Sequence, residues 1–157
     1  KDFTHAACVL ALQNVENPLE LFLQAYEHLQ VEGKFLLVCN HPCFRIPRQS
    51  SWGVDPHTQV QYRRMDRYLT PMQIPIQAHP WQRDASAESL TFHESLPFIT
   101  EALYQAGFCV QRLQEWVSPK ESVGKMAKRE NRSREEFPLF LAILAQKKGV
   151  KQHERLV

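Results

Sequence analysis

Apolar residues in this chain change their spacing several times, and each change marks an element. Ala6-Ala7-Cys8-Val9-Leu10-Ala11-Leu12 is continuously apolar. Such a run suits a strand buried on both faces, as in a parallel sheet. Asn17-Pro18 follows as a helix start, with asparagine as cap and proline in the first turn. Leu19, Phe22, Leu23, Tyr26 and Leu29 recur at helical spacing, and Gln24, Glu27, His28 and Gln30 take the other face. Gly33 is the expected stop, in the left-handed conformation that glycine adopts freely. FLLVC at 35–39 reads as a second buried strand. Strand, amphipathic helix and strand in this order predict a βαβ unit with a right-handed crossover.

From residue 41 to 92 the helical period is lost, and proline, arginine, histidine and aromatic residues interleave. QVQYRR (59–64) and MQIPIQA (72–78) predict an antiparallel ribbon, with ESLTF (88–92) as a third short strand. The prolines confine such strands to edges. This segment reads as a cap inserted over a site. Regular spacing returns at His93. Ser95 is the expected cap of a helix carrying Leu96, Ile99, Leu103 and Ala106, which Gly107 ends. FCVQRLQEW (108–116) is a strand, 120–136 a charged stretch with a short helix, and FPLFLAILAQ (137–146) the last strand. The chain therefore divides into a βαβ unit (1–40), a cap (41–92), a helix with two strands (93–148) and a frayed tail (149–157). Leu10, Leu37, Leu103, Phe108, Leu139 and Leu141 are predicted to share one core.

A length of 157 residues fits one domain. The net charge of +2 is too small to indicate a nucleic-acid or membrane partner by itself. No apolar run reaches the 18 residues of a membrane-spanning helix. The first residues lack the layout of a signal peptide, and the absence of an initiating Met suggests a start partway through a longer protein. Cys8, Cys39, Cys43 and Cys109 form no C-x-x-C pair, so free thiols in a reducing cytoplasm are expected rather than a metal site.

Four segments line up in order: VLALQNVENPLELFLQAYEHLQVEGKFLLVCNHPCFR, QYRRMDRYL, TFHESLPFITEALYQAGFCVQRLQEW and PLFLAILAQKK. Together they resemble the C-terminal half of a class I S-adenosylmethionine-dependent methyltransferase. Val31-Glu32-Gly33-Lys34-Phe35 matches the family's "GGkfll" strand start, His41-Pro42-Cys43-Phe44-Arg45 its "hP.fr" loop, and Ala106-Gly107-Phe108 its "aGF" helix end. The resemblance implies an α/β fold, namely the C-terminal portion of a Rossmann-like methyltransferase sheet with helices and an inserted β-ribbon cap. It implies S-adenosyl-L-methionine as cofactor and a small-molecule substrate. One departure is large. The family's glycine-rich first loop and the acidic residue that holds the ribose have no counterpart, because the five glycines (33, 53, 107, 124, 149) are too scattered to build such a loop. The sequence thus looks like a methyltransferase beginning at its fourth strand, and this chain alone is expected to be inactive. A non-catalytic interaction module and a fragment of an RNA methyltransferase are the competing readings.

Ligands of open α/β sheets sit beyond the carboxyl ends of the strands. That rule selects Leu12-Gln13-Asn14 after one strand and Asn40-His41-Pro42 after the next. By resemblance, Leu12, Gln13, Asn14 and Val15 border the methionine part of the cofactor; the plainer reading is that Gln13 and Asn14 serve loop and helix backbone groups. His41 is a candidate general base, or else a structural loop histidine. Phe44, Arg45, Tyr62, Arg63 and His93 are candidate substrate contacts. Arg45, Arg48, Arg63, Arg64 and Arg67 outnumber Asp55 and Asp66, which suits an anionic or aromatic ligand, a phosphate backbone or simply a solvated cap. Residues 120–136 intersperse both charge signs, as on an exposed helix. The run at 6–12 carries no lysine, proline or charge. As an outer strand it would leave an unprotected edge, so a homodimer through that edge is expected.

Overall fold

The computed structural model describes residues 3–77 and 88–149. The elements are β1 (Phe3–Val9), α1 (Pro18–His28), β2 (Leu29–Asn40), β3 (Ser50–Val54), β4 (Gln61–Met65), β5 (Met72–Gln77), β6 (Glu88–His93), α2 (Leu96–Gln105), β7 (Phe108–Trp116), α3 (Ala127–Glu136) and β8 (Phe140–Lys147). The main sheet has the order β1-β2-β8-β7. β1 and β2 are parallel, and β8 runs antiparallel to both of its neighbours. The last described strand is therefore inserted, reversed, between two earlier ones.

The βαβ unit forms as the sequence predicts. Asn17 accepts the Glu20 backbone N–H through its side chain, and Pro18 opens the first turn. Alternate residues of β2, namely Phe35, Leu37 and Cys39, meet Leu141, Ile143 and Ala145 of β8 under Phe22 of α1 and Ile99 and Leu103 of α2. Phe35 stacks on Phe108 at 5.4 Å and meets Phe22 edge-on at 5.8 Å. Gly107 ends the α2 unit at φ +95, and a Cβ there would lie 2.7 Å from the Tyr26 ring. Glycine is needed at this position on both counts.

Several expectations need correction. β1 stops at Val9, so the predicted strand at 6–12 loses its end. Leu10 takes φ 52 and donates its N–H to the Val38 carbonyl, and Leu12–Asn14 forms a single 3-10 turn. Leu10 is 42% exposed and lies outside the core; Leu139 is only half-buried. Leu37, Leu103, Phe108 and Leu141 are core residues as expected. α1 ends at His28, well before Gly33, which sits inside β2. The left-handed residue is Glu32, at φ 66. Gly33 is required for space instead, since a Cβ would come within 2.8 Å of the Gln30 carbonyl.

The predicted ribbon of 59–64 with 72–78 does not form. β4 pairs with β3, and β5 pairs with β6, giving two separate hairpins. The cause is local. The Asp55 side chain accepts the backbone N–H groups of His57 and Thr58, which closes the chain between β3 and β4. Pro75 is accommodated because β5 has β6 as its one neighbour among the described strands. Residue 78 and most of the 149–157 tail lie outside the described residues. Ser95 occupies the cap position of α2 but makes no side-chain cap bond. No helix among the described residues is long and apolar enough to cross a membrane.

Candidate functional site

The turn after β1 and the loop after β2 leave the sheet at the same end, because the two strands are parallel. The β5–β6 hairpin folds over this end. Thr91 donates its hydroxyl to the Gln13 carbonyl at 3.2 Å, and Gln73 donates to Glu16 at 3.1 Å. A cleft with about 50 Å³ of open space results, room for a few water molecules. Leu12, Gln13 and Val15 form one wall, Asn40 and Arg45 a second, and Thr91, His93 and Glu94 a third. Ile99 and Cys39 line it from the core side.

Two acceptors in this cleft are unsatisfied. Gln13 Oε1 and Glu94 Oε2 are buried and have no hydrogen-bond partner among the described residues. Burial also pushes the Glu94 carboxyl above its ordinary value. Leaving such groups unpaired costs about 1–3 kcal/mol each, so a hydrogen-bond donor, from water or from a ligand, belongs beside them. Arg45 is not that donor, because its guanidinium is held by the Asn40 side chain at 2.8 Å and lies over the Phe140 ring. His93 is buried, bonds through Nε2 to the Tyr68 carbonyl at 2.7 Å, and is held below its ordinary value mainly by desolvation. Cys39 is pushed up to about 12 by burial, with Cys8 beside it adding to the effect. It is an inert wall rather than a nucleophile.

The structure brings five candidates to the cleft: Leu12, Gln13, Val15, Arg45 and His93. Asn14 points into solvent from the adjoining turn. His41 does not line the cleft. It is 1% exposed, its Nε2 lies 2.8 Å from Glu115 on β7, and its Nδ1 accepts the Cys43 backbone N–H. With Nδ1 accepting, Nε2 must carry the proton that Glu115 receives. Both ring nitrogens are thus engaged in fixing the loop after β2, and no lone pair remains for a substrate proton. Phe44 stacks against His41 at 4.7 Å and faces a second depression shared with Arg45, Trp52, Arg63 and Phe137. Arg63 donates to the Phe44 carbonyl and the Ser50 hydroxyl and lies over Trp52, so it fastens the first hairpin to the loop. Tyr62 is exposed on the opposite side of that hairpin, over Gly53. Sequence reasoning missed Glu94. Next to Ser95 at a helix start, an acidic residue reads as a helix-dipole partner, and only the hairpin's docking reveals its burial.

No protein-family model matches this sequence, and no curated protein matches it. Solved structures do. A Mesorhizobium loti S-adenosylmethionine-dependent methyltransferase superposes with a TM-score of 0.66 over 92% of this chain and 62% of its own, at 24% identity. A Clostridium acetobutylicum S-adenosylmethionine-dependent methyltransferase gives 0.54 over 95% and 60%, at 16% identity. The glycopeptide N-methyltransferase MtfA, solved with S-adenosyl-L-methionine, gives 0.51 over 92% and 57%, at 15% identity. The fold is that of the class I S-adenosylmethionine-dependent methyltransferases, a Rossmann-like sheet with its last strand reversed. This chain spans about three-fifths of the length of these structures.

Proposed function

We propose that this chain supplies the C-terminal half of an S-adenosylmethionine-dependent methyltransferase domain acting on a small molecule. The observation that carries this reading is the cleft beyond the carboxyl ends of β1 and β2, with the unsatisfied oxygens of Gln13 and Glu94 in it. Buried acceptor oxygens suit a sulfonium, an ammonium or an N–H or O–H of a methyl acceptor. The residues present fit the reactive end of the cofactor. They do not fit its adenosine, because no glycine-rich turn exists in the sequence and the cleft is too small. When bound, the cofactor supplies a methyl group already activated on sulfur, and the protein's task is positioning. Glu94, with its carboxyl raised by burial, is the group best placed to take the proton released by an amine or hydroxyl acceptor. His41 holds the loop that carries Arg45 and is a positioning residue in this reading.

The isolated chain is expected to bind the cofactor product S-adenosylhomocysteine weakly, since the adenosine half of the seat is lacking. Calorimetric titration checks this, and a dissociation constant in the low micromolar range would show that the chain holds the whole cofactor. We also propose that the isolated chain self-pairs through β1. Among the described residues that strand has β2 as its one neighbour, and Phe3 and Val9 are 61% and 56% exposed. Light scattering should give twice 18.3 kDa. A monomer, or a dimer unchanged by Val9→Lys, removes β1 as the interface.

A further inference from the structure

On the far side of the cap lies a second feature that the methyl-transfer reading does not use. The tip of the β3–β4 hairpin and one face of α3 enclose a groove of about 530 Å³, within the size range of ligand sites. Thr58 and Gln59 line it from the hairpin, and Lys125, Lys128, Arg129 and Arg132 from the helix and its lead-in. Among the described residues no carboxylate lines it. We propose that this groove binds a ligand through two or more phosphoryl groups.

The arrangement of charge on α3 is the first support. Within α3, Lys128 and Arg132 are spaced i,i+4, so cation faces cation, while Arg129 beside them and Lys125 in the lead-in add charge to the same groove. Like-charge pairs at this spacing destabilise a helix. None of the four is ion-paired among the described residues. The other face of the helix is treated differently: Arg134 reaches Glu130 at 3.9 Å and also bonds the Ser122 hydroxyl, and Asn131 holds the Ser122 backbone. Glu136 follows the basic stripe one turn on, beyond the groove lining. Carboxylates are thus available in this segment but are placed away from the groove.

The second support is an orphan donor. Arg129 Nε is buried with no acceptor, while Nη1 of the same guanidinium reaches the Gln59 side chain at 3.5 Å. A guanidinium with its edge unsatisfied is a ready partner for a phosphate oxygen, which it can engage with two parallel bonds. Four uncompensated cations around one groove exceed what a single carboxylate would need.

Two sources share this chemistry, a single-stranded RNA and a small polyphosphate. Fluorescence anisotropy with a labelled ten-nucleotide oligouridylate and calorimetry with sodium tripolyphosphate separate them. Saturable RNA binding with a log–log salt slope of about −3, weakened at least about tenfold in K128Q/R132Q, would support the polymer. Tripolyphosphate binding lost in the same variant, with no RNA binding, would support the small ligand. Lys128 and Arg132 are exposed, so their replacement should leave thermal unfolding unchanged; K125Q/K128Q serves as a second test pair. Failure of both probes to bind, or binding that ignores both variants, overturns the proposal. Neither outcome depends on whether the cleft transfers methyl groups.

Discussion

Leu37→Ala is expected to remove about 2–5 kcal/mol of folding stability. Leu37 is fully buried on β2, an interior strand, with Cys8 beside it on β1 and Ile143 on β8. Its side chain belongs to the cluster that joins α1, α2 and all four strands of the main sheet. Close-packed backbones on both sides leave the cavity little room to collapse, which places the cost toward the upper half of that range. Denaturant unfolding gives the number directly. A loss below about 1 kcal/mol would put Leu37 outside the core. Leu10→Ala is the internal contrast. Leu10 has left the sheet in a left-handed conformation and is largely exposed, so its truncation should be nearly neutral.

The second large effect is expected at Lys147. This lysine closes β8 and is 5% exposed. Its ammonium donates to the carbonyls of Tyr26 and Leu29 at 2.6 and 2.7 Å and sits 4.1 Å from the Tyr26 ring centroid. Those carbonyls lie at the C-terminal end of α1, where the helix leaves acceptors without intrahelical donors and a partial negative charge gathers. Replacing both members of a buried pair by apolar groups is often harmless. Here one member is the backbone and cannot be replaced. Lys147→Met therefore leaves two buried acceptors unpaired, at about 1–3 kcal/mol each. A total loss of about 2–5 kcal/mol is expected by thermal or denaturant unfolding. A variant as stable as the parent would show that water reaches the end of α1. Arginine should not restore the loss, since a planar fork cannot copy a compact three-donor head.

What the sequence made legible follows its periodicity. The βαβ unit and α2 were readable because Asn17-Pro18 and Gly107 punctuate runs of clear spacing, and the apolar faces were uninterrupted. The end of β1 was not readable. An apolar run says which residues avoid water but not where the backbone turns, and the turn falls on Leu10, a residue type that rarely adopts φ 52. Hairpin pairing failed for a similar reason. Alternating residues at 61–65 and 72–77 suit either partner, and the choice was made by one aspartate, Asp55, closing its own turn. The candidate site was half legible. Strand-end logic found Gln13 and Asn40, but Glu94 depends on a hairpin folding across from elsewhere. His41 shows the limit of residue type as a guide, because an imidazole fits a structural bridge to Glu115 as well as it fits proton transfer.

The place of β8 governs when this sheet can exist during synthesis. Phe140–Lys147 leaves the ribosome after every other described strand, yet it lies between β2 and β7. Until it emerges, β2 has β1 as its one partner and β7 has none among the described strands. The nascent chain must therefore carry the apolar β2 with one side unpaired while the segment between β2 and β8 is made, a period in which such an edge invites aggregation. Closure then joins segments more than 100 residues apart in a single late step, as the Lys34–Gln146 pairing requires. Emergence of β8, rather than the appearance of the first βαβ unit, sets the moment at which this sheet can become resistant to proteases.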